Sequence, residues 1–276
     1  MNASTAFERS FPLASRAEGM MSEFSMQVMD SILQFQRDQH TTGHIVEFGV
    51  YKGKSATIIG FQIRPGERFV LVDVERYITD DTLQALPVPA EFVQCRSEDF
   101  SSSFGDYRKL GGQVRFLHVD SSHAYRTTLG EMAMADELLS ADGVLCLDDY
   151  SNLNYSQILP AVYKYLFTTD TDLTPFLVTG EKCYLCRRAH FEKYGGYVLE
   201  RLVDDMRARK SAPVTLARTD ADPEYSAFYL RPSLTPDEGR HYGEAIYGHL
   251  YRSAAPLGIR RTPAETVKRG LRRFMR

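Results

Sequence analysis

Five short runs, apolar on both faces, constrain this chain more than any other feature: "HIVEFGV" (44–50), "RFVLVDV" (68–74), "EFVQC" (91–95), "VRFLHVD" (114–120) and "GVLCLDD" (143–149). Between them lie segments suited to helices, at 54–63, 79–86, about 101–110 and 124–140, the last with Leu129, Met132, Ala133 and Leu139 on one face. Alternation of doubly apolar strands with helices predicts a parallel sheet covered on both sides, the doubly wound, Rossmann-like α/β class. A further helix fits 155–167, with Pro160 as a kink or a late start. Two more runs, 175–180 and 182–187, are joined only by Gly180-Glu181, which predicts an antiparallel hairpin at the end of a sheet ordered 3-2-1-4-5.

Ahead of this core (41–189), residues 1–40 form an N-terminal helical lid segment. There Met21, Phe24, Val28, Ile32 and Phe35 recur at helical period. Residues 190–276 break the alternation and read as a C-terminal extension, rich in Tyr (225, 229, 242, 247 and 251) and ending in a basic tail. That tail, 260–276, carries seven Lys or Arg against one Glu and opens on the helix start Thr262-Pro263-Ala264-Glu265. The tyrosines fit stacking on a sugar or aromatic acceptor, a contact between copies or a small core, the last two being favoured, and a homo-oligomer is expected.

A net charge of −3 gives no basic excess of the kind that binds nucleic acid, and no run reaches the roughly 18 apolar residues of a membrane span. The four cysteines fall in strand-like runs, which suits reduced thiols and a cytoplasmic chain. Cys183 and Cys186 spell C-x-x-C, but in a strand they point to opposite faces, so a zinc or redox pair is not expected.

In such sheets ligands bind beyond the carboxyl ends of the strands. The first strand ends in Glu47, Gly49 and Gly53, an E-x-G-x-x-x-G turn into a helix. The glycines let a ligand approach the backbone, while the glutamate would attract a cationic ligand and repel a phosphate. Asp73, twenty residues beyond Gly53, suits the ribose hydroxyls of a dinucleotide or another adenosine cofactor, and Ser97 or Glu98 could meet an adenine edge. The fourth and fifth strand ends are neighbours, which brings Asp120, His123, Asp148 and Asp149 to one mouth. Three carboxylates there suit a hard divalent cation, and His123 suits proton removal near neutral pH. Against this, adjacent aspartates in an unbroken strand point apart, leaving one to cap a helix and one to face water.

"IVEFGVYKGKSA", "LVDVE", "FLHVDSSHAY" and "GVLCLDDY", in that order and spacing, resemble the class I S-adenosylmethionine-dependent methyltransferases. Among these, the chain looks like the metal-dependent O-methyltransferases of macrolide sugars and related natural products, the macrocin and mycinamicin type. "GMMSEF" (19–24) is similar to the segment that helps cover the site in macrocin-type enzymes. The resemblance spans roughly residues 19–188 and implies S-adenosylmethionine and Mg²⁺ as cofactors and a small-molecule hydroxyl as acceptor. It implies that Glu47, Gly49 and Gly53 line the methionine end, Asp73 holds the ribose and Ser97 lies near adenine. Asp120, Asp148 and Asp149 would ligate the metal, with Asp120 also at the cofactor. Where many macrocin-type members have D-G-D this chain has Ser122 as the third residue, so the base assignment moves to His123. Rival readings are a catechol-type O-methyltransferase, an NAD-dependent oxidoreductase, which would want a G-x-G-x-x-G turn, and a non-catalytic protein of the same fold.

Overall fold

The structure, a computed structural model, describes residues 4–218 and 227–233. The basic tail, its helix start and Tyr225, Tyr242, Tyr247 and Tyr251 lie outside the described residues. The elements run α1 (Ala6–Arg16), α2 (Glu23–Asp38), β1 (His44–Phe48), α3 (Lys54–Gly60), β2 (Phe69–Asp73), α4 (Asp80–Gln84), β3 (Ala90–Gln94), α5 (Phe100–Ser103), α6 (Tyr107–Leu110), β4 (Val114–Val119), α7 (Tyr125–Leu138), β5 (Leu139–Leu147), α8 (Ile158–Thr168), β6 (Leu173–Thr179), β7 (Cys183–Arg187), α9 (Phe191–Tyr197), α10 (Val203–Ala208), β8 (Val214–Arg218) and β9 (Phe228–Pro232). Val198–Leu202, between α9 and α10, is a π-helical stretch.

The sheet order is β3-β2-β1-β4-β5-β7-β6-β9-β8. The first five strands are parallel in the expected order, and β7 adds antiparallel to β5 and to β6. The segment after residue 190 contributes more than the sequence suggests: β9 pairs parallel with β6, and β8 pairs antiparallel with β9. The alternation had ended, but short half-buried strands at a sheet edge carry little periodic signal. Two other differences are local. Residues 101–110 hold two short helices split at Phe104–Asp106 rather than one, and α1, capped by a Thr5/Glu8 box, precedes the expected lid helix. Pro160 is the third residue of α8, which is a late start and not a kink.

Each face of the sheet carries its own apolar layer. One gathers Ile45, Phe116, Val144, Cys146, Tyr184 and Cys186 with α2, α9 and α10; the other gathers Val46, Leu117, Leu145, Cys183 and Leu185 with α5, α6, α7 and α8. Cys183 and Cys186 thus lie on opposite faces, and all four cysteines are free. Among the described residues no helix is long and apolar enough to cross a membrane.

Candidate active site

Strand period two builds the site. Carried toward the carboxyl edge, the phase of Ile45, Phe116, Val144 and Cys186 arrives at Glu47, His118, Asp120, Asp148 and, at the start of β7, Lys182. These groups therefore share one face, packed under α2. Glu47 and His118 are fully buried, and Glu47 Oε1 meets His118 Nδ1 at 2.8 Å. The other imidazole nitrogen, Nε2, has no hydrogen-bond partner and lies 3.8 Å from Asp148 Oδ2. That same oxygen accepts a hydrogen bond from the Lys182 ammonium, which is 1% exposed. Burial alone would raise the Asp148 carboxyl, yet Lys182 and then His118 hold it down at about 2. Asp120 is raised well above the ordinary range, first by burial and then by the charge on Asp148. Lys182 is raised in spite of its burial, because Asp148 stabilises its charge.

The chain leaves the strand between the two aspartates. Asp148 keeps the phase of β5, whereas Asp149 has φ +50°, and His123 has φ +56°, both in the left-handed region that non-glycine residues seldom occupy. The two turns aim their side chains at each other. His123 Nε2 lies 3.3 Å from Asp149 Oδ2 and 3.5 Å from Asp120 Oδ1, and Asn152 Nδ2 donates to Asp149 Oδ1 at 2.9 Å. The Tyr155 ring packs on the imidazole with centroids 4.3 Å apart. Burial pushes the His123 pKa below its ordinary value, with Asp149 partly offsetting it. The three carboxylates consequently divide into two overlapping sets whose ligand atoms lie within 4.8 Å of one another: His118, Asp120 and Asp148 inside, and Asp120, His123 and Asp149 outside.

A cavity of about 690 Å³ runs from this cluster across the strand ends, lined among others by Gly49, Asp73, Ser97, Asp120, His123, Asp148 and Asp149. Gly49 has φ +81°, and a Cβ there would fall onto the Asp120 carbonyl. Asp73 Oδ2 accepts from the Val50 and Tyr51 amides at 2.8 Å each and Oδ1 from Val74 N at 2.7 Å, so the carboxylate shapes the glycine turn as well as facing the cavity. Two residues expected at the cofactor stand back from the cavity wall. Glu47 is turned inward to His118, and Gly53 starts α3 with φ +83°, its α-carbon facing Ile78. The segment between α1 and α2, with the first turn of α2, covers one side: Glu18 pairs with Lys52, Lys54 Nζ donates to Gly19 O at 3.3 Å, and Ser22 and Ser25 both donate to Glu181.

Behind Ser97, Glu131 of α7 is buried and accepts a hydrogen bond from Ser121, its other carboxylate oxygen is without a partner, and burial raises its pKa from 4.5 to about 7. A raised carboxyl lowers stability as pH climbs from the unfolded value through the folded one, so its cost is complete above pH 7 and absent below about 4.5. Glu131→Gln should therefore be more stable than the parent at pH 8, by on the order of 2 to 3 kcal/mol, and indistinguishable at pH 4. Denaturant melts at the two pH values test this, and equal gains at both would refute it.

Residues 46–150 match the family model of a methyltransferase domain. The matched stretch runs from β1 to Tyr150 and contains every expected site residue. Among solved structures, the cofactor-bound Rv0187 from MTB is similar with a TM-score of 0.51 and 13% identity, over 66% of this chain and 89% of that one. This likeness shows the fold. The SAH-bound Podospora anserina methyltransferase PaMTH1 gives a TM-score of 0.48 and 14% identity, over 67% of this chain and 88% of that one. The search of curated proteins found no match.

Beside the methyltransferase-domain match, three groups of the site were not singled out in the sequence. His118 and Lys182 stand within apolar strand-like runs, and Glu131 within a helical segment. The signal was present in the first two: a histidine and a lysine standing in phase with apolar residues are charges the fold must bury.

Proposed function

We propose that the chain is an S-adenosylmethionine-dependent, Mg²⁺-dependent O-methyltransferase acting on a hydroxyl of a small molecule, a sugar or related natural product. The observation that carries this reading is the meeting of Asp120, His123 and Asp149 at one end of the cavity that reaches Asp73 and Ser97, within the stretch matching a methyltransferase domain. The donors fit: oxygen ligands suit a hard divalent ion, and the glycine turn leaves room for a ligand against the backbone. S-Adenosylmethionine would supply an electrophilic methyl group. A Mg²⁺ ion at the acid cluster would orient a pair of acceptor hydroxyls and lower the pKa of the one attacked.

The remaining work falls to the chain itself. His123, its pKa lowered by burial, accepts the hydroxyl proton at Nε2, and Tyr155 packed on its ring limits its rotation. Asp149 lies beside that nitrogen and favours the imidazolium once it forms. Asp73 offers its remaining lone pairs to ribose hydroxyls and Ser97 lies at the adenine end, while the covering segment excludes water. Thermal melts discriminate this from the oxidoreductase reading. S-Adenosylhomocysteine at a hundred times its Kd should stabilise the protein by about 2.7 kcal/mol, and NAD⁺ should not. Stabilisation by NAD⁺ alone would overturn the proposal, and undiminished methyl transfer in chelator would remove the metal from it.

A further inference from the structure

The inner half of the acid cluster already holds a positive charge. Lys182 is 1% exposed, enters from the turn between β6 and β7, and donates to Asp148, beside the buried and partnerless His118 Nε2. Glu47, hydrogen-bonded to His118 Nδ1, orients that ring so that Nε2 faces the Asp148 carboxylate. His118, Asp120 and Asp148 are thus placed as a ligand set, with Glu47 as the carboxylate behind the histidine, in the manner of metal-binding imidazoles. An ammonium hydrogen-bonded to one member of that set competes directly with a metal ion for it. Asp120 and Asp149, on the outer side, have no lysine or arginine within ion-pair distance among the described residues.

We propose that Lys182 is a resident cation of the site. Its ammonium fills the inner half and neutralises Asp148, so that a divalent ion is confined to the outer half, between Asp120 and Asp149. This rests on the metal-dependent reading above and refines it: Asp148 acts as the lysine's counter-ion and positions the cluster, and Lys182 is a positioning residue that touches neither acceptor nor cofactor.

The test is Mn²⁺ binding, followed by the electron paramagnetic resonance of the free ion in the absence of acceptor. Lys182→Met and Lys182→Gln remove the competing charge, the glutamine keeping a hydrogen bond to Asp148 so that folding is preserved. Both should bind Mn²⁺ at least about tenfold more tightly than the parent, since a charge a few ångströms from the ion is removed. Asp149→Asn, at a half-buried position that leaves Lys182 in place, should lose Mn²⁺ binding. A parent that binds Mn²⁺ together with lysine variants that bind it no more tightly overturns the proposal and leaves metal dependence standing. Parental affinity in Asp149→Asn also overturns it, because the ion then sits in the inner half. Binding by the lysine variants alone upholds the resident cation and removes Mg²⁺ from the parent's reaction. No binding by any of the proteins removes both.

Discussion

His123→Ala should stabilise with S-adenosylhomocysteine as the parent does and lose about 10² to 10⁴ of its methyl transfer rate, the usual contribution of a positioned general base. The geometry gives the reason. Nε2 stands between Asp120 and Asp149 at 3.5 and 3.3 Å, where no other imidazole reaches the cavity wall among the described residues. The expected split is a fall in kcat with little change in cofactor affinity. Turnover within tenfold of the parent would move the base elsewhere, and a loss confined to the KM for the acceptor would make His123 a binding residue. His123→Gln separates shape from basicity: it fills much of the same space and should be as slow as the alanine variant.

Gly49→Ala is expected to be the most damaging glycine-to-alanine change among the described residues. A left-handed alanine costs about 1 to 2 kcal/mol by itself, and forcing β1 from the backbone at Asp120 adds about 1 to 3 more. The total of roughly 2 to 5 kcal/mol should appear as a large drop in the denaturation midpoint, together with loss of stabilisation by S-adenosylhomocysteine. Gly53→Ala is the control. It shares the positive φ, at +83°, but its Cβ would meet the end of the Ile78 side chain, which can move. Equal damage from both substitutions would mean that the backbone conformation, and not the close approach of β1 to Asp120, sets the cost.

The sheet was legible in the sequence because doubly apolar strands separated by helices have few alternatives, and the hairpin because two residues cannot connect strands in any other way. The last two strands were not, since β8 and β9 are short and their pairing depends on the edge that β6 offers beside them. The site divides along the same line. Asp120, Asp148, Asp149 and His123 stood out as polar residues ending apolar runs, and the structure brings all four together. Which of them share a cation was not readable, for two reasons. The left-handed turn at Asp149 is a single backbone angle with no residue signature, and the partner of Asp148 arrives from residue 182, far along the chain. Glu47 shows the converse: strand phase places it under α2 beside His118, whereas the expectation that it lines the methionine end follows from the family resemblance.

One consequence of the β6–β7 turn joins matters treated separately above. Glu181, on the cavity wall, accepts hydrogen bonds from Ser22 of the covering segment and Ser25 of α2, while its neighbour Lys182 faces inward to Asp148. Their α-carbons are about 3.8 Å apart. The turn that anchors Ser22 and Ser25 is therefore the same turn that sets the ammonium against Asp148. The anchoring of the cover and the charge at the floor of the cavity are tied to one another through a single peptide bond.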